Sequence, residues 1–476
     1  MKILFLAAEV APFSKTGGLG DVAAALPAHL VQLDHEVVTV SPLYGHIDNN
    51  HHGLVRIYED IEIVLGRWRA AFSLWLAPDQ RNWFIELPQF FARGSIYTSD
   101  PDEHLRFLLL THAAFELCRR RKWAPDIVHA NDWHTALAPL LVRTFQDEAD
   151  LFRQSATVFT IHNLAYQGVF DAGVAGDIGL GDRRYLLHQD HLHQGYINFM
   201  EHGVIYADAI TTVSPTYAHE IQTPEMGEGL DGLLRRRAGD LYGILNGIDT
   251  EVWNPSLDPH LVAHYSSADL AGKAENKRAL LAEGGLEPGD QPLLGIVTRL
   301  TPQKGIELMI RPLVWLLEAD QARFVALGSG EHRYEEALRW LADRFPERAY
   351  FVAGYDEPLA HRIEAGADMF LMPSRFEPSG LNQMYSLAYG TAPVVRRTGG
   401  LADTVRHYSP ASGEGNGFVF DHFTEEGLAW SLGEALNLYR QPDAWRAMQL
   451  NGMNEDNSWE RRASEYADLY EKLSGA

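Results

Sequence analysis

The sequence predicts an α/β protein built from two doubly wound domains with parallel sheets. Three observations carry this. Short apolar runs of strand length alternate with helix-length periodic segments through most of the chain. The alternation weakens once, around 246–292, and then begins again. The first strand is followed by a glycine-rich loop and then an apolar helix-like stretch. A length of 476 residues suits two or three domains of ordinary size.

The elements follow in order. Residues 2–8 (KILFLAA) form a continuous apolar run and predict a strand. The loop KTGGLGD at 15–21 comes next, and Val22, Leu26 and Leu30 then share one helix face. Residues 55–90 depart from the pattern, because IEIVLGRWRAAFSLWLAP and NWFIELP read as local antiparallel strands inserted in the domain. Periodic segments at 102–121 and 132–147 predict helices, and further strands are expected at 126–129, 156–161 and 209–213. Pro255, Pro259, Pro288 and Pro292, with Gly284 and Gly285, punctuate the weak region and mark a domain boundary. The second series of strands is expected at 293–298, 323–328, 349–353, 368–372, 393–396 and 417–420. The loop at 15–21 is echoed by RTGGLAD at 397–403, with five of seven residues identical. The echo suggests that each domain presents a glycine turn and a helix start to a ligand.

Composition narrows the function. Lys and Arg number 40 against 64 Asp and Glu, a formal net charge of −24. That argues against a general nucleic-acid binder, which needs a basic surface, and against docking on an anionic membrane. A phosphorylated small molecule remains compatible if cations gather in one place. The single cysteine, Cys118, cannot form an intrachain disulfide and sits in an apolar stretch, so a buried, inert thiol is expected. No run of 18 apolar residues occurs, and the apolar start MKILFLAAEV is short for a signal peptide, so a cytoplasmic protein is expected.

Several strand-end clusters could carry chemistry. Gly17 and Gly18 allow close backbone approach to an anion and Lys15 adds charge; the bland alternative is a tight turn with a solvated lysine. Arg299 and Lys304 lie where a strand gives way to a helix, a position that disfavours cations unless an anion binds there. Ser379 and Gly380 are expected to open a helix, with Glu377 beside that anion site or serving only as an N-terminal carboxylate. Asp132 reads either as a helix N-cap or as a functional carboxylate. His129, Asp132 and His134 lack a complementary motif for a metal. His162 and Asn163 end another strand and could bond a polar ligand or be structural. His188, His191 and His193 are expected in a solvated loop.

Taken together, the strings KTGGLGD (15–21), DWH (132–134), TIHNLAYQG (160–168), TTVSPTYAHE (211–220) and LNGID (245–249) resemble the bacterial glycogen synthase and plant starch synthase family. So do AENK (274–277), TRLTPQKG (298–305), SRFEPSGLNQMY (374–385) and RRTGGLADTV (396–405). The resemblance spans nearly the whole chain. It implies the GT-B fold: two Rossmann-like domains, here 1–245 and 246–457, facing across a cleft, with a final helix within 458–476 crossing back to the first. It implies retaining transfer of glucose from ADP-glucose to the non-reducing 4-hydroxyl of an α-1,4-glucan, with UDP-glucose as the alternative donor.

By the same resemblance, Lys15, Arg299 and Lys304 hold the diphosphate, with backbone help from Gly17 and Gly18. Ser379, Gly380, Leu381 and Asn246 would face the donor, and Tyr355 would pack on its nucleoside. His162 would hydrogen-bond the transferred glucose, with Asn163 towards the acceptor and Asp132 near the reacting centre. Glu377 would contact the sugar and steady positive charge at its anomeric carbon. Three cations serve the leaving group, so no metal and no cofactor are expected. Two departures stand out: Ser379 where the family often has Cys, and Asn131 where it often reads HDWH. Tyr385 replaces a second Glu found in many other retaining transferases, which favours the synthases. The competing readings are a nucleotide-sugar epimerase of the same fold and a non-catalytic glucan-binding protein.

Overall fold

The computed structural model describes residues 1–146 and 150–475. The chain divides into two compact units. The first comprises Met1–Val213, Ala218–Leu245 and the C-terminal stretch from Trp459; the second comprises Ser214–Tyr217 and Asn246–Ser458. The short piece Ser214–Tyr217 departs from the expected boundaries for a visible reason. Asp403 of the second unit accepts hydrogen bonds from Ser214 Oγ (2.5 Å), Thr216 Oγ1 (2.6 Å) and Thr216 N (3.0 Å).

The first unit holds a nine-stranded sheet. From edge to edge its strands are Leu241–Gly243, Ala209–Thr212, Ala156–Ile161, Ile127–Asn131, Lys2–Leu6, Glu36–Pro42, Asn82–Glu86, Trp68–Leu76 and Val55–Leu65. All neighbours are parallel up to Asn82–Glu86, and the last two strands are antiparallel. Ile3, Leu4, Phe5 and Leu6 are all buried, as a strand covered on both faces requires. The edge strand Val55–Leu65 instead alternates over its second half, with Ile61, Ile63 and Leu65 buried and Glu62 and Val64 exposed. Chain order reverses between Lys2–Leu6 and Ile127–Asn131, which places the topological switch point at their carboxyl ends.

Helix Gly18–Gln32 buries Val22, Leu26 and Leu30, the predicted face. Helix Trp459–Ser474 packs against it. Tyr470 of that last helix meets His129 Nδ1 at 2.6 Å, while Thr160 Oγ1 takes Nε2 at 2.6 Å. His129 is therefore a buried structural residue with both ring nitrogens used. Cys118 is buried and its thiol is pushed up to about 12 by desolvation, so it is inert. The periodic segment expected at 132–147 is two helices, Asp132–Thr135 and Ala138–Gln146; residue 147 lies outside the described residues.

The second unit holds a six-stranded parallel sheet in the order Ala349–Ala353, Arg323–Gly328, Leu293–Val297, Met369–Met372, Ala392–Arg396, Phe418–Phe420. Leu294 and Ile296 enter one core and Leu293 and Val297 the opposite one, as strand alternation demands when helices cover both faces. The switch point here lies between Leu293–Val297 and Met369–Met372. Each unit is thus a Rossmann-like doubly wound layer, the two components of a GT-B protein. No described helix is long and apolar enough to cross a membrane.

Candidate active site

At the first unit's switch point, the loop after Lys2–Leu6 is tied down by Glu9. This buried carboxylate accepts bonds from Thr16 Oγ1 (2.8 Å), from the Thr16 amide and from Tyr97 OH. The anchored loop leads Lys15 and Gly17 to the start of helix Gly18–Gln32. Lys15 pairs with Asp21 at 2.7 Å yet stays 42% exposed. Gly17 is the N-cap and provides no side-chain cap, and a Cβ there would meet nothing within 4 Å. The first-turn amides of this helix and the Lys15 ammonium are groups of the kind that anions meet at a helix start.

The neighbouring strand ends carry Asn131, Asp132 and His162. Asp132 has φ of +53°, a rare conformation for a non-glycine residue. The sequence reading of Asp132 as N-cap is corrected: Asn131 occupies that position, and Asp132 begins the helical turn. The Asp132 carboxylate reaches across to the next strand end, where Oδ1 accepts the His162 amide (2.8 Å) and the Asn163 amide (3.4 Å). Desolvation raises Asp132 to about 7, opposed by those two amide bonds. Burial lowers His162 to about 3, so its ring is neutral at physiological pH. Its Nε2 lies 2.9 Å from Asn131 Oδ1. The Asn163 side-chain oxygen is used within its own loop, accepting Ala165 N at 3.1 Å.

The raised carboxyl has a measurable consequence. A folded-state value above the unfolded one means that ionisation is disfavoured in the fold. The associated stability is complete below about pH 4 and is lost as pH rises towards 7. Asp132→Asn never ionises. Urea melts of both proteins across this range are expected to agree near pH 4 and to favour the variant at pH 8. A constant difference at all pH values would contradict the assignment.

In the second unit, Lys304 and Glu377 meet. Lys304 Nζ lies 2.7 Å from Glu377 Oε2, and Ser374 Oγ donates to the same oxygen at 2.9 Å. Glu377 is 5% exposed. The two loops are stitched together by Arg375 N to Gln303 O (2.8 Å) and Gln303 Nε2 to Phe376 O (3.2 Å). Gly305 permits their approach: its φ is +67°, and a Cβ would stand 2.1 Å from the Pro373 carbonyl oxygen. Arg299 is exposed and has no side-chain partner among the described residues. A paired cation beside a carboxylate, with a second cation unengaged, suits a ligand that carries both a phosphate and a developing positive centre.

The glycine echo turns out to join two different devices. Gly17 faces open space, whereas Gly399 (φ +43°) would put a Cβ 2.0 Å from the Glu377 carbonyl oxygen. The Gly400 amide bonds that carbonyl at 3.1 Å. The second turn therefore buttresses the Glu377 loop. Arg397, the counterpart of Lys15, pairs with Asp421 at 2.6 Å.

Helix Asn382–Ala388 begins beyond Ser379 and Gly380, correcting the expectation that they open it. Gln383 Nε2 takes both of their carbonyls, at 3.1 and 3.0 Å. Leu381 packs against Ile248, Met384 and Tyr385. Asn246 is buried with its Oδ1 unsatisfied. Tyr355 is 78% exposed, and its hydroxyl reaches Glu357 at 3.2 Å. Tyr385 stacks on Trp253 at 3.7 Å, so the place of a second Glu is filled by core.

His188 and His191, expected in a solvated loop, instead join Glu201, with His191 Nδ1 at 2.7 Å and His188 Nε2 at 3.9 Å from its oxygens. His188 Nδ1 accepts the His191 amide at 3.4 Å, so Nε2 is the ring nitrogen towards the carboxylate. His193 lies outside that group. Sequence reasoning missed Glu9, Ser374 and the contact from Asn131 to His162. Ser374 had a signal, since it stands three places before Glu377 at the same strand end.

Comparison with known proteins gives the family of the chain. The family described as starch synthase catalytic domain matches residues 2–236, and glycosyl transferases group 1 matches residues 278–449. Glycogen synthase of Anaeromyxobacter dehalogenans is 48% identical, covering 100% of both chains. Glycogen synthase of Streptococcus gordonii is 44% identical over 99% of this chain and 100% of that one. The solved catalytic domain of starch synthase IV from Arabidopsis thaliana, bound to ADP and acarbose, is 35% identical. It superposes with a TM-score of 0.92 and covers 100% of this chain and 99% of its own.

Proposed function

The chain belongs to the glycogen and starch synthase family of glycosyltransferases, and on that premise we propose that its donor is ADP-glucose and that it acts with retention at the anomeric carbon. Glucose passes to the non-reducing 4-hydroxyl of an α-1,4-glucan and ADP leaves. The Lys304–Glu377 pair carries this reading. Breaking the bond from glucose to the diphosphate puts negative charge on the leaving group and positive charge on the anomeric carbon. Lys304 and Arg299 answer the first, and Glu377 answers the second. As Lys304 turns towards phosphate, Ser374 still holds Glu377 Oε2 in place. In the first unit, Lys15 is assigned as a further cation for the donor and His162 to the transferred glucose. Asp132 is assigned to the surroundings of the reacting centre.

ADP as the nucleotide is supported by the starch synthase IV structure, which holds ADP. Tyr355 provides an exposed ring for the base, and Asn246 a buried polar atom without a partner. The acarbose in that same structure supports an α-glucan acceptor. A cytoplasmic location belongs to this proposal, since a nucleotide sugar is a charged intracellular metabolite. Initial rates with ADP-glucose and UDP-glucose, on one maltooligosaccharide acceptor, test the donor. We expect kcat/KM for ADP-glucose to be higher by about tenfold or more, with new α linkages by proton NMR. Equal or reversed preference would overturn the choice of ADP.

Arg299→Ala should weaken ADP binding about tenfold, the worth of one charge-assisted hydrogen bond. Thermal stability should stay unchanged, because the guanidinium has no internal partner among the described residues. Calorimetric titration and a thermal melt of the same sample check both halves.

A further inference from the structure

Asn131 and Asp132 grip His162 at two points. Asp132 Oδ1 takes its main-chain amide at 2.8 Å, and Asn131 Oδ1 lies 2.9 Å from its ring Nε2. The polarity of the second contact follows from what Asn131 does with its other atom. Asn131 Nδ2 lies 3.0 Å from the Leu6 carbonyl oxygen, which can only accept. The NH2 of the carboxamide must therefore face Leu6, and the oxygen must face His162. Thr135 Oγ1 fixes the Asn131 backbone on both sides, accepting its N–H at 2.7 Å and donating to its carbonyl at 2.9 Å. Asn131 is fully buried, so neither of its bonds can be exchanged for water without cost.

A carboxamide oxygen offers no proton, so the proton between the two side chains sits on His162 Nε2. A neutral imidazole protonated at Nε2 has a bare lone pair at Nδ1. The titratable groups around the ring keep it so. His129 and His134 are both held neutral by burial, each lowered to about 3. Asp132, whose carboxyl burial raises to about 7, holds the His162 main-chain amide and not the ring.

We propose that Asn131 is a positioning residue that locks His162 in the Nε2–H tautomer, so that Nδ1 accepts a hydrogen bond from one hydroxyl of the donor's glucose. The proposal rests on the assignment of His162 to the transferred sugar. It also gives the replacement at 131 a physical meaning. Two neighbouring imidazoles can exchange tautomers together, since each can be donor or acceptor at either nitrogen. A carboxamide held by Leu6 cannot follow such an exchange. The lock makes His162 a fixed acceptor and not a proton carrier, and it selects a sugar with a hydroxyl at that point. A donor lacking that hydroxyl leaves a desolvated Nδ1 unpaired, which binding sites discriminate against strongly.

The test uses the full chain with ¹⁵N-labelled histidine. His162 is assigned by its disappearance in His162→Gln, and its tautomer is read from long-range proton–nitrogen spectra at pH 7. Expected is a protonated Nε2 and a pyridine-type Nδ1 that does not titrate between about pH 5 and 8. Asn131→Ala should give a mixture of tautomers. Asn131→Asp places a charge beside Nε2–H and should bring the ring into titration in that window. A wild-type ring protonated at Nδ1, or a tautomer unchanged in Asn131→Ala, would overturn the lock. If Asn131→Ala does not fold, the wild-type and Asn131→Asp spectra decide alone.

The second arm uses donor analogues that each lack one glucose hydroxyl. The wild type should reject one of them by about 10- to 100-fold in kcat/KM, and Asn131→Ala should shrink that ratio with ADP affinity unchanged. A confirmed lock with no analogue rejected would overturn the sugar contact of His162, and so the reading beneath it, while leaving the tautomer assignment standing.

Discussion

Glu377→Gln is expected to lower kcat by about 10²- to 10³-fold while ADP binds at least as tightly as before. The direction of the second half is the diagnostic one. Glu377 Oε2 is the counter-ion of Lys304, at 2.7 Å. Removing its charge frees the ammonium for phosphate, so product affinity should hold or rise. The bond from Ser374 Oγ to the same oxygen can persist with glutamine, because a carboxamide oxygen also accepts. Turnover falls because positive charge grows on the sugar only in the transition state, and a neutral carboxamide answers it poorly. Single-turnover rates and calorimetric ADP titration read the two effects separately. Near-normal turnover would remove Glu377 from the reacting centre.

Lys304→Ala has the opposite signature. The Kd for ADP should rise about 10- to 100-fold, since a charge-assisted bond to phosphate is worth ~1.5–3 kcal/mol. kcat should fall as well, because charge on the leaving group increases as the bond breaks. Stability should fall by about 3 kcal/mol, because a buried carboxylate is left, among the described residues, with the Ser374 hydroxyl and no cation. Arg299→Ala differs from it: both cations are proposed to serve the donor, but among the described residues Lys304 has a side-chain ion pair and Arg299 does not. Unchanged ADP affinity in Lys304→Ala would exclude it from the diphosphate site.

Most of this architecture is readable from the chain, for a physical reason. Strands covered on both faces must be apolar at every position, so Ile3 to Leu6 and Leu293 to Ile296 announce themselves. The strand-end loops that hold Lys15, Arg299, Lys304 and Glu377 follow from the strands. What stays hidden is contact between distant segments. The structural role of His129 shows only when Tyr470, 341 residues away, is found on its ring. Asp132 looks like a cap, since no local feature shows that its carboxylate is claimed by the amides of the next strand end. The glycine echo joins two different surroundings because a sequence records that a Cβ is missing, not what fills its place. At Gly17 nothing does, and at Gly399 it is the Glu377 carbonyl. The break between the helices Asp132–Thr135 and Ala138–Gln146 is invisible because it falls at Ala136 and Leu137, two buried apolar residues that continue the pattern.

The central claim is that this chain moves glucose from ADP-glucose onto a glucan through the Glu377 centre. The most direct measurement is transfer of labelled glucose from ADP-glucose into glycogen by wild type and Glu377→Gln, assayed side by side with ADP binding confirmed for both. The account predicts label in the outer chains of the wild-type product, released as maltose by β-amylase, and almost none from the variant. Equal labelling by the two proteins, or no incorporation by the wild type, would contradict it.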